Sequence, residues 1–256
     1  MRTLTAIGFT LLLASCALFG DKKDPVEEWP EDKLYSEAKD ALQSEYYERA
    51  IEYYEKLQAR YPFGDFSKQA QLDLAYAYYK TEESASAIAA CDRFIKLYPT
   101  HSHVDYAYYL KGLANFNQGK GLAQRYLPSD PSQRDPGASV QAFRDFTELT
   151  KRFPNSQYNR DARKRMMYLR NILAQHEVNV ANFYMWRGAY LAAANRALYV
   201  VENYQQAPAM PEALALLVRA YKALQLEDLA ADAMRVLERN YPSHPGVADV
   251  KGLVVK

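Results

Sequence analysis

The feature that most constrains the fold is a pattern of small residues and prolines that returns along the chain. Two prolines, Pro62 and Pro99, each follow a tyrosine and lie 37 residues apart. A small residue stands twelve positions before each proline, and another stands twelve positions before that one. The two sets are Ala38, Ala50 and Pro62, then Ala75, Ala87 and Pro99. Because small side chains let helices cross closely and proline ends a helix, the pattern predicts pairs of antiparallel helices.

The spacing resembles the tetratricopeptide repeat, a helix pair of about 34 residues. A third copy contains Gly112, Ala142 and Pro154. Thirty residues separate its two small positions, against twelve in the first two copies. This predicts a loop insertion near residues 117–137, and a loop of such length inside a compact repeat is usually functional.

Two further copies diverge, with Gln205 in place of the proline of repeat four and Val218 in place of the first small residue of repeat five. Fourteen extra residues precede repeat four, which is close to four helical turns. An apolar stripe continues through them without a break in phase, at Ala162, Met166, Leu169, Leu173, Val180 and Tyr184. We therefore expect one long helix over residues 159–187.

Together the repeats predict an all-α fold, an α-solenoid of five tetratricopeptide-like helix pairs (about ten helices) in two lobes joined by the long helix. We expect repeats one to three in residues 32–158, and the long helix with repeats four and five in residues 159–250. The 10 glycines and 12 prolines among 256 residues are fewer than average usage, which favours helices over a disordered chain or a small β-sandwich. The 32 basic and 31 acidic residues leave a formal charge of +1, so no global field attracts nucleic acid.

The first residues have the pattern of a lipoprotein signal. Arg2 precedes an apolar run from Leu4 to Leu13, too short to span a bilayer. The run ends in Leu13-Ala14-Ser15-Cys16, which resembles the lipobox of bacterial lipoproteins. The resemblance implies that residues 1–15 are removed and that Cys16 carries an S-diacylglycerol and an N-palmitoyl group. The polar residues 16–31 would then form a tether to the outer membrane.

The repeat also indicates a binding surface, because in tetratricopeptide repeats the first helix of each pair lines the concave groove. The groove positions of repeats two and three include Tyr76, Tyr79, Lys80, Tyr109 and Phe116. Aromatic rings with a nearby cation suit a peptide-binding surface. The alternative is that the rings only pack between helices. Both interpretations stay open for Tyr76 and Tyr109, while exposure is favoured for Tyr79 and Lys80.

No arrangement of residues predicts catalysis, a metal site or a bound cofactor. His101 and His103 lack a third ligand at zinc-site spacing. Gly119-Lys120-Gly121 lacks the remainder of a phosphate-binding loop. A basic stretch on the long helix is interpreted as a solvated face, with contact to an acidic partner as the alternative; it comprises Arg160, Arg163, Lys164, Arg165 and Arg170.

Several longer runs are similar to the BamD family of outer-membrane assembly lipoproteins. They include Arg60-Tyr61-Pro62-Phe63-Gly64, Tyr76-Ala77-Tyr78-Tyr79-Lys80, Phe153-Pro154-Asn155-Ser156-Gln157-Tyr158, Arg187-Gly188-Ala189-Tyr190 and Asn195-Arg196. The resemblance implies a lipid-anchored, non-enzymatic scaffold at the periplasmic face of the outer membrane, within the Bam complex that inserts β-barrel proteins.

The same resemblance implies the partners. They are BamA, bound through a periplasmic POTRA domain, the lipoproteins BamC and BamE, and unfolded β-barrel substrates. The N-terminal repeats would receive the substrates and the C-terminal repeats would hold BamA, with Arg196 among the contacts. The substrates would end in an aromatic residue and a carboxylate. Lys80 is then the expected partner of the carboxylate, and the aromatic residue would pack on Tyr79, Tyr109 and Phe116. The alternative is that Arg196 is a solvated surface side chain that contacts no partner protein. For the whole chain, the alternatives are a lipidated adaptor for pilus, competence or peptidoglycan-associated machinery, and an enzyme such as a cell-wall hydrolase.

Overall fold

The computed structural model describes residues 25–118 and 130–252, and within these ranges the chain contains eleven α-helices and no strand. The helices are α1 (Glu31–Gln43), α2 (Tyr47–Arg60), α3 (Ser67–Lys80), α4 (Ser84–Leu97), α5 (Val104–Asn117), α6 (Gly137–Arg152), α7 (Asn159–Trp186), α8 (Tyr190–Asn203), α9 (Met210–Ala223), α10 (Glu227–Asn240) and α11 (Pro245–Lys251). The all-α class is thus confirmed, with helices α1 to α10 forming the five predicted pairs and α11 as a short addition.

Two sequence predictions lie outside the described residues. They are the lipid attachment at Cys16, with its signal peptide, and the central part of the insertion, residues 119–129. Among the residues that are described, none of the helices is both long and apolar enough to span a bilayer.

The chain divides into two compact units, residues 1–70 and 71–256. In the first unit α1 packs on α2, with Leu34, Tyr54 and Leu57 fully buried. This division lies within α3, whereas the sequence places a boundary at residues 158 and 159, which stays a prediction.

The small residues of the repeat lie where helices meet. Every alanine of the pattern from Ala38 to Ala193 is fully buried: Ala38, Ala50, Ala75, Ala87, Ala142, Ala181 and Ala193. At Gly112 an added Cβ would lie 2.6 Å from the Phe146 ring. Any side chain there would therefore hold α5 and α6 apart.

The second helix of each pair ends at an aromatic residue, and proline is not needed for this. Tyr98 follows α4 with φ −130° and ψ 56°, outside the helical region that is disfavoured for a residue before proline. Tyr204 ends α8 with φ −127° and ψ 39°, although Gln205 follows it. Packing of the helices therefore fixes the end of α8 where the sequence signal is absent.

Helix α7 confirms the predicted long helix and runs from Asn159 to Trp186. Its buried face is not continuous, however. Ala162, Leu169 and Leu173 are buried near its start, whereas Ala174, Val178 and Ala181 are buried further on. Val180, which the unbroken stripe placed in the core, is only half-buried. The buried face therefore shifts by one residue near position 173, about 100° around the helix, because the two halves of α7 pack in two different hydrophobic clusters.

The end of the insertion packs on α7. A short 3-10 helix, Pro131–Gln133, places Ser132 in a buried position. The Ser132 carbonyl accepts from His176 at 2.8 Å, and its hydroxyl accepts from Asn179 at 2.9 Å. Asp130 in turn accepts from the Ser132 amide and hydroxyl. These bonds hold the segment before α6 against the middle of the long helix.

Candidate functional site

The candidate groove residues of unit 71–256 meet in one group of side chains, which we call the aromatic cluster. Helix α3 contributes Tyr76, Tyr79 and Lys80, and α5 contributes Tyr109 and Phe116. Residues three, four or seven positions apart lie on one face of a helix. This spacing explains why the α3 residues share one helix face and the α5 residues share another. The long helix and its cap add four members that the sequence prediction left out: Tyr158, Asp161, Arg165 and Tyr168.

Tyr109 is held inside the cluster on two sides. Its hydroxyl donates to the Asp161 carboxylate at 2.7 Å. Its ring stacks on Tyr158 with centroids 4.7 Å apart and planes 14° apart. Burial, and then the hydrogen bond with Asp161, raise the pKa of Tyr109 to about 12. These contacts favour the interpretation that the Tyr109 ring packs between helices. Tyr109 then supports the other side chains of the cluster.

Asp161 joins Tyr109 to Arg165. The same carboxylate oxygen accepts from the Arg165 Nε at 2.5 Å. Partial burial opposes ionisation of Asp161, but the hydrogen bonds from Arg165 and Tyr109 outweigh it and lower its pKa. Asp161 is therefore a charged anchor for both side chains.

The Arg165 guanidinium lies over the Phe116 ring, with Cζ 4.8 Å from the ring centroid. Tyr168 lies beside the same ring, centroid to centroid 5.7 Å, and is 47% exposed. A cation above an aromatic face is attracted by the ring quadrupole. Phe116 is thus half-buried between a cation and an open aromatic ring.

The α3 side chains form the other edge of the cluster. The Tyr79 hydroxyl accepts from the Asn117 amide at 3.0 Å, and Tyr79 is half-buried. Lys80 is exposed at the end of α3, with Nζ 6.0 Å from the Tyr76 ring centroid. The sequence favours exposure for both residues. Lys80 is exposed, whereas Tyr79 is half-buried.

The basic stretch of α7 is not a single solvated face. Arg160, Arg163 and Lys164 are exposed, whereas Arg165 and Arg170 are half-buried. Arg170 donates to the backbone carbonyl and side chain of Gln206. The interpretation as one solvated face is therefore wrong for these two residues. The spacing of Asp161, Arg165 and Tyr168, four and then three residues apart, was the available signal for their common face.

Arg196 lies on a separate surface formed by α7 and α8. Its Nη1 donates to Glu177 at 3.1 Å, and the two side chains are 48% and 15% exposed. It borders an open depression of about 390 Å³ with Tyr184, Ala192 and Tyr199. Arg196 is therefore exposed and links α8 to α7 through Glu177.

The other chemistry-bearing residues have structural surroundings. The His103 amide donates to the His101 ring at 3.2 Å, and the His101 ring packs edge-on against Phe94. Cys91 is fully buried, and burial raises the pKa of its thiol, so it is held as a thiol rather than a thiolate. In the described ranges, no three His, Cys, Asp or Glu side chains are grouped so that they could hold a metal ion.

Comparison with known proteins gives the family. A family described as "YfiO: Outer membrane lipoprotein" matches residues 27–237. A protein of Neisseria meningitidis serogroup B named outer membrane protein assembly factor BamD is 45% identical over 247 residues, which cover 95% of this chain and 92% of the relative. The chain belongs to the YfiO family of outer membrane lipoproteins.

Other members of the YfiO family match over a similar length. The BamD of Vibrio cholerae is 40% identical over 90% of this chain and 96% of its own, and that of Haemophilus influenzae is 32% identical over 94% and 90%. The family match contains the aromatic cluster and Arg196 and ends within α10. Helix α11 lies beyond it.

Proposed function

We propose that this chain is a non-enzymatic, lipid-anchored scaffold and substrate receptor that assembles β-barrel proteins into the outer membrane as part of the Bam complex. The observation on which this depends is the similarity over nearly the full length to relatives named outer membrane protein assembly factor BamD. It favours assembly over the adaptor role in pilus or competence machinery. Paired helices, which present broad side-chain surfaces, suit such a role.

The proposed partners are BamA, through a POTRA domain, together with BamC, BamE and unfolded barrel proteins. Arg196 supports the BamA contact, because a planar guanidinium at the rim of an open depression can form a bidentate pair with a partner carboxylate. Its present partner within the chain is Glu177 on α7. The chain would act at the periplasmic face, attached through lipid on Cys16.

The aromatic cluster is the proposed receptor surface for the end of a substrate. An extended peptide exposes alternate side chains and one terminal carboxylate. The cluster offers rings at intervals on α3, α5 and α7, with Lys80 and Arg165 as nearby cations. Binding should be weak, because a flexible peptide loses conformational entropy on docking.

Photocrosslinking tests this receptor surface. A photoreactive phenylalanine analogue is placed at Tyr79 or Phe116 in the full chain, and a barrel C-terminal peptide is added. We expect capture at both positions. Arg163 is the matched control because it is exposed and lies on α7 two residues from Arg165, about 200° around the helix. Capture at Arg163 with none at Tyr79 and Phe116 would move the receptor away from the cluster.

A further inference from the structure

Arg165 is the best-positioned cation of the aromatic cluster. Its side chain is 29% exposed, so solvent and ligands reach it, yet two contacts hold it in place. Asp161 binds the Nε at 2.5 Å and Phe116 supports the flat face at 4.8 Å. Lys80 is exposed at the end of α3, with Nζ 6.0 Å from the Tyr76 ring centroid. A guanidinium that is already held in place loses little further entropy when it binds a ligand.

The Arg165 contacts also leave its donors suited to a carboxylate. A guanidinium has five N–H donors, and Asp161 engages the one on Nε. The Tyr109 hydroxyl is also within hydrogen-bonding reach of the guanidinium. The terminal nitrogens carry four N–H donors, enough to bind a carboxylate with two parallel hydrogen bonds while Tyr109 stays engaged. Tyr109 shares the Asp161 oxygen, and Lys164 also lowers the pKa of Asp161. These neighbours offset the repulsion between Asp161 and a second carboxylate.

The surroundings of Arg165 fit an aromatic residue next to that carboxylate. Phe116 lies under the guanidinium, and Tyr168, 47% exposed, extends the apolar surface away from it. Ring pairs prefer centroid separations of about 4.5–7 Å, and the Phe116–Tyr168 pair at 5.7 Å leaves edges on which a third ring can pack.

We propose that Arg165, rather than Lys80, recognises the terminal carboxylate of an extended peptide whose last side chain is an aromatic ring packed on Phe116 and Tyr168. This rests on the proposed function, since it assigns the end of the peptide to one place in the receptor surface. It makes Arg165 a specificity-determining residue that distinguishes a chain end from the middle of a chain.

The test compares one synthetic peptide in two forms. The peptide alternates apolar and polar residues, ends in phenylalanine and has a fluorophore at its N-terminus; one form has a free C-terminal carboxylate and the other a C-terminal amide. Fluorescence anisotropy gives the Kd of each for the full chain. We expect the free acid to bind about three- to tenfold more tightly than the amide.

Three variants locate the group that makes this difference. Arg165→Gln should remove the preference for the free acid while the amide binds as it does to wild type, and Arg165→Lys should restore part of it. Lys80→Gln and the exposed Arg163→Gln should keep the full preference. Circular dichroism and thermal unfolding confirm that each variant is folded, and the acid-to-amide ratio is a quantity that a merely structural role of Arg165 would not change.

The other outcomes separate the two proposals. Equal binding of both forms to wild type, or a preference that survives Arg165→Gln, overturns the role of Arg165 and leaves the receptor surface in place. A preference lost in Lys80→Gln returns the carboxylate to Lys80. If wild type binds neither form, the receptor function of the cluster fails together with the role of Arg165.

Discussion

At the scale of single residues, the turns within helix pairs share one unusual backbone conformation. Glu45, Glu82 and Gln225 have φ values of 62°, 63° and 60°, and Gly188 has 72°. The members of each pair, 45 with 82 and 188 with 225, lie 37 residues apart. A left-handed residue at this place lets the chain reverse between two helices, and three of the four turns achieve it with a side chain at an energetic cost.

Substitution at these turns should change stability through the backbone alone. Gly188→Ala should lower the free energy of unfolding by about 1 kcal/mol, since its Cβ would meet nothing within 4 Å and only the left-handed conformation opposes it. Gln225→Gly should raise it by about 0.5 kcal/mol. Urea unfolding measures both. Gly252→Ala is the control, with φ −79° and its closest neighbour 3.8 Å away; a loss there as large as at Gly188 would contradict the explanation.

At the scale of elements, α7 is the helix that decides most about the site. Its first half supplies Asp161, Arg165 and Tyr168 to the aromatic cluster, and its second half supplies Glu177 to Arg196. Because its buried face shifts near residue 173, one continuous helix packs in two hydrophobic clusters.

A pair of valines tests this shift. Val178 is fully buried and Val180 is half-buried. Val178→Ala should lower the free energy of unfolding by about 2 kcal/mol, because it removes buried methyl groups and leaves a cavity. Val180→Ala should cost less than about 1 kcal/mol. The two variants are compared by chemical unfolding, and equal losses would restore the unbroken stripe that the sequence predicts.

At the scale of the whole molecule, the proposed function needs a membrane anchor and at least two partner surfaces. Arg165 and Glu177 are twelve residues apart on α7, about 18 Å along a helix axis. One helix therefore holds both the peptide surface and the Arg196 surface at a fixed spacing, which suits a scaffold that presents a substrate to a neighbouring subunit.

The partner surface predicts a specific loss of binding. Arg196→Glu should reduce the amount of BamA that co-purifies with the chain in mild detergent, because it reverses the charge at the rim of the depression. Arg235→Glu is the control on α10; Arg235 is 73% exposed and pairs with Asp232 on its own helix. Wild-type recovery of BamA with Arg196→Glu would remove Arg196 from the interface.

The anchor predicts a change in mass and location. Cys16→Ala should block acylation and leave residues 1–15 attached, because the thiol that carries the diacylglycerol is gone. Intact-mass analysis of the membrane fraction measures this, and Cys91→Ala is the control with the second cysteine of the chain. Normal acylation of Cys16→Ala would contradict the lipobox interpretation.

The sequence by itself determined the repeat, the class of fold and the bounds of the long helix. Ala38, Ala75 and Gly112 follow one another at intervals of 37 residues. Small residues at a fixed interval permit few arrangements other than crossing helices. The long helix followed from the same reasoning, and Asn159–Trp186 agrees with residues 159–187. The aromatic members of the cluster on α3 and α5 were also accessible, since their spacing places them on one face.

Only the tertiary structure decided which cation belongs to the cluster and how α7 is buried. Helical spacing places Arg165 on one face with Asp161 and Tyr168, but helical periodicity orders residues on one helix and does not say which face meets a neighbour. That depends on how α6 packs against both α5 and α7, so that Tyr109 and Phe116 reach Asp161 and Arg165 across 52 and 49 positions of sequence. Contacts so distant along the chain are fixed by the packing of whole helices rather than by local pattern.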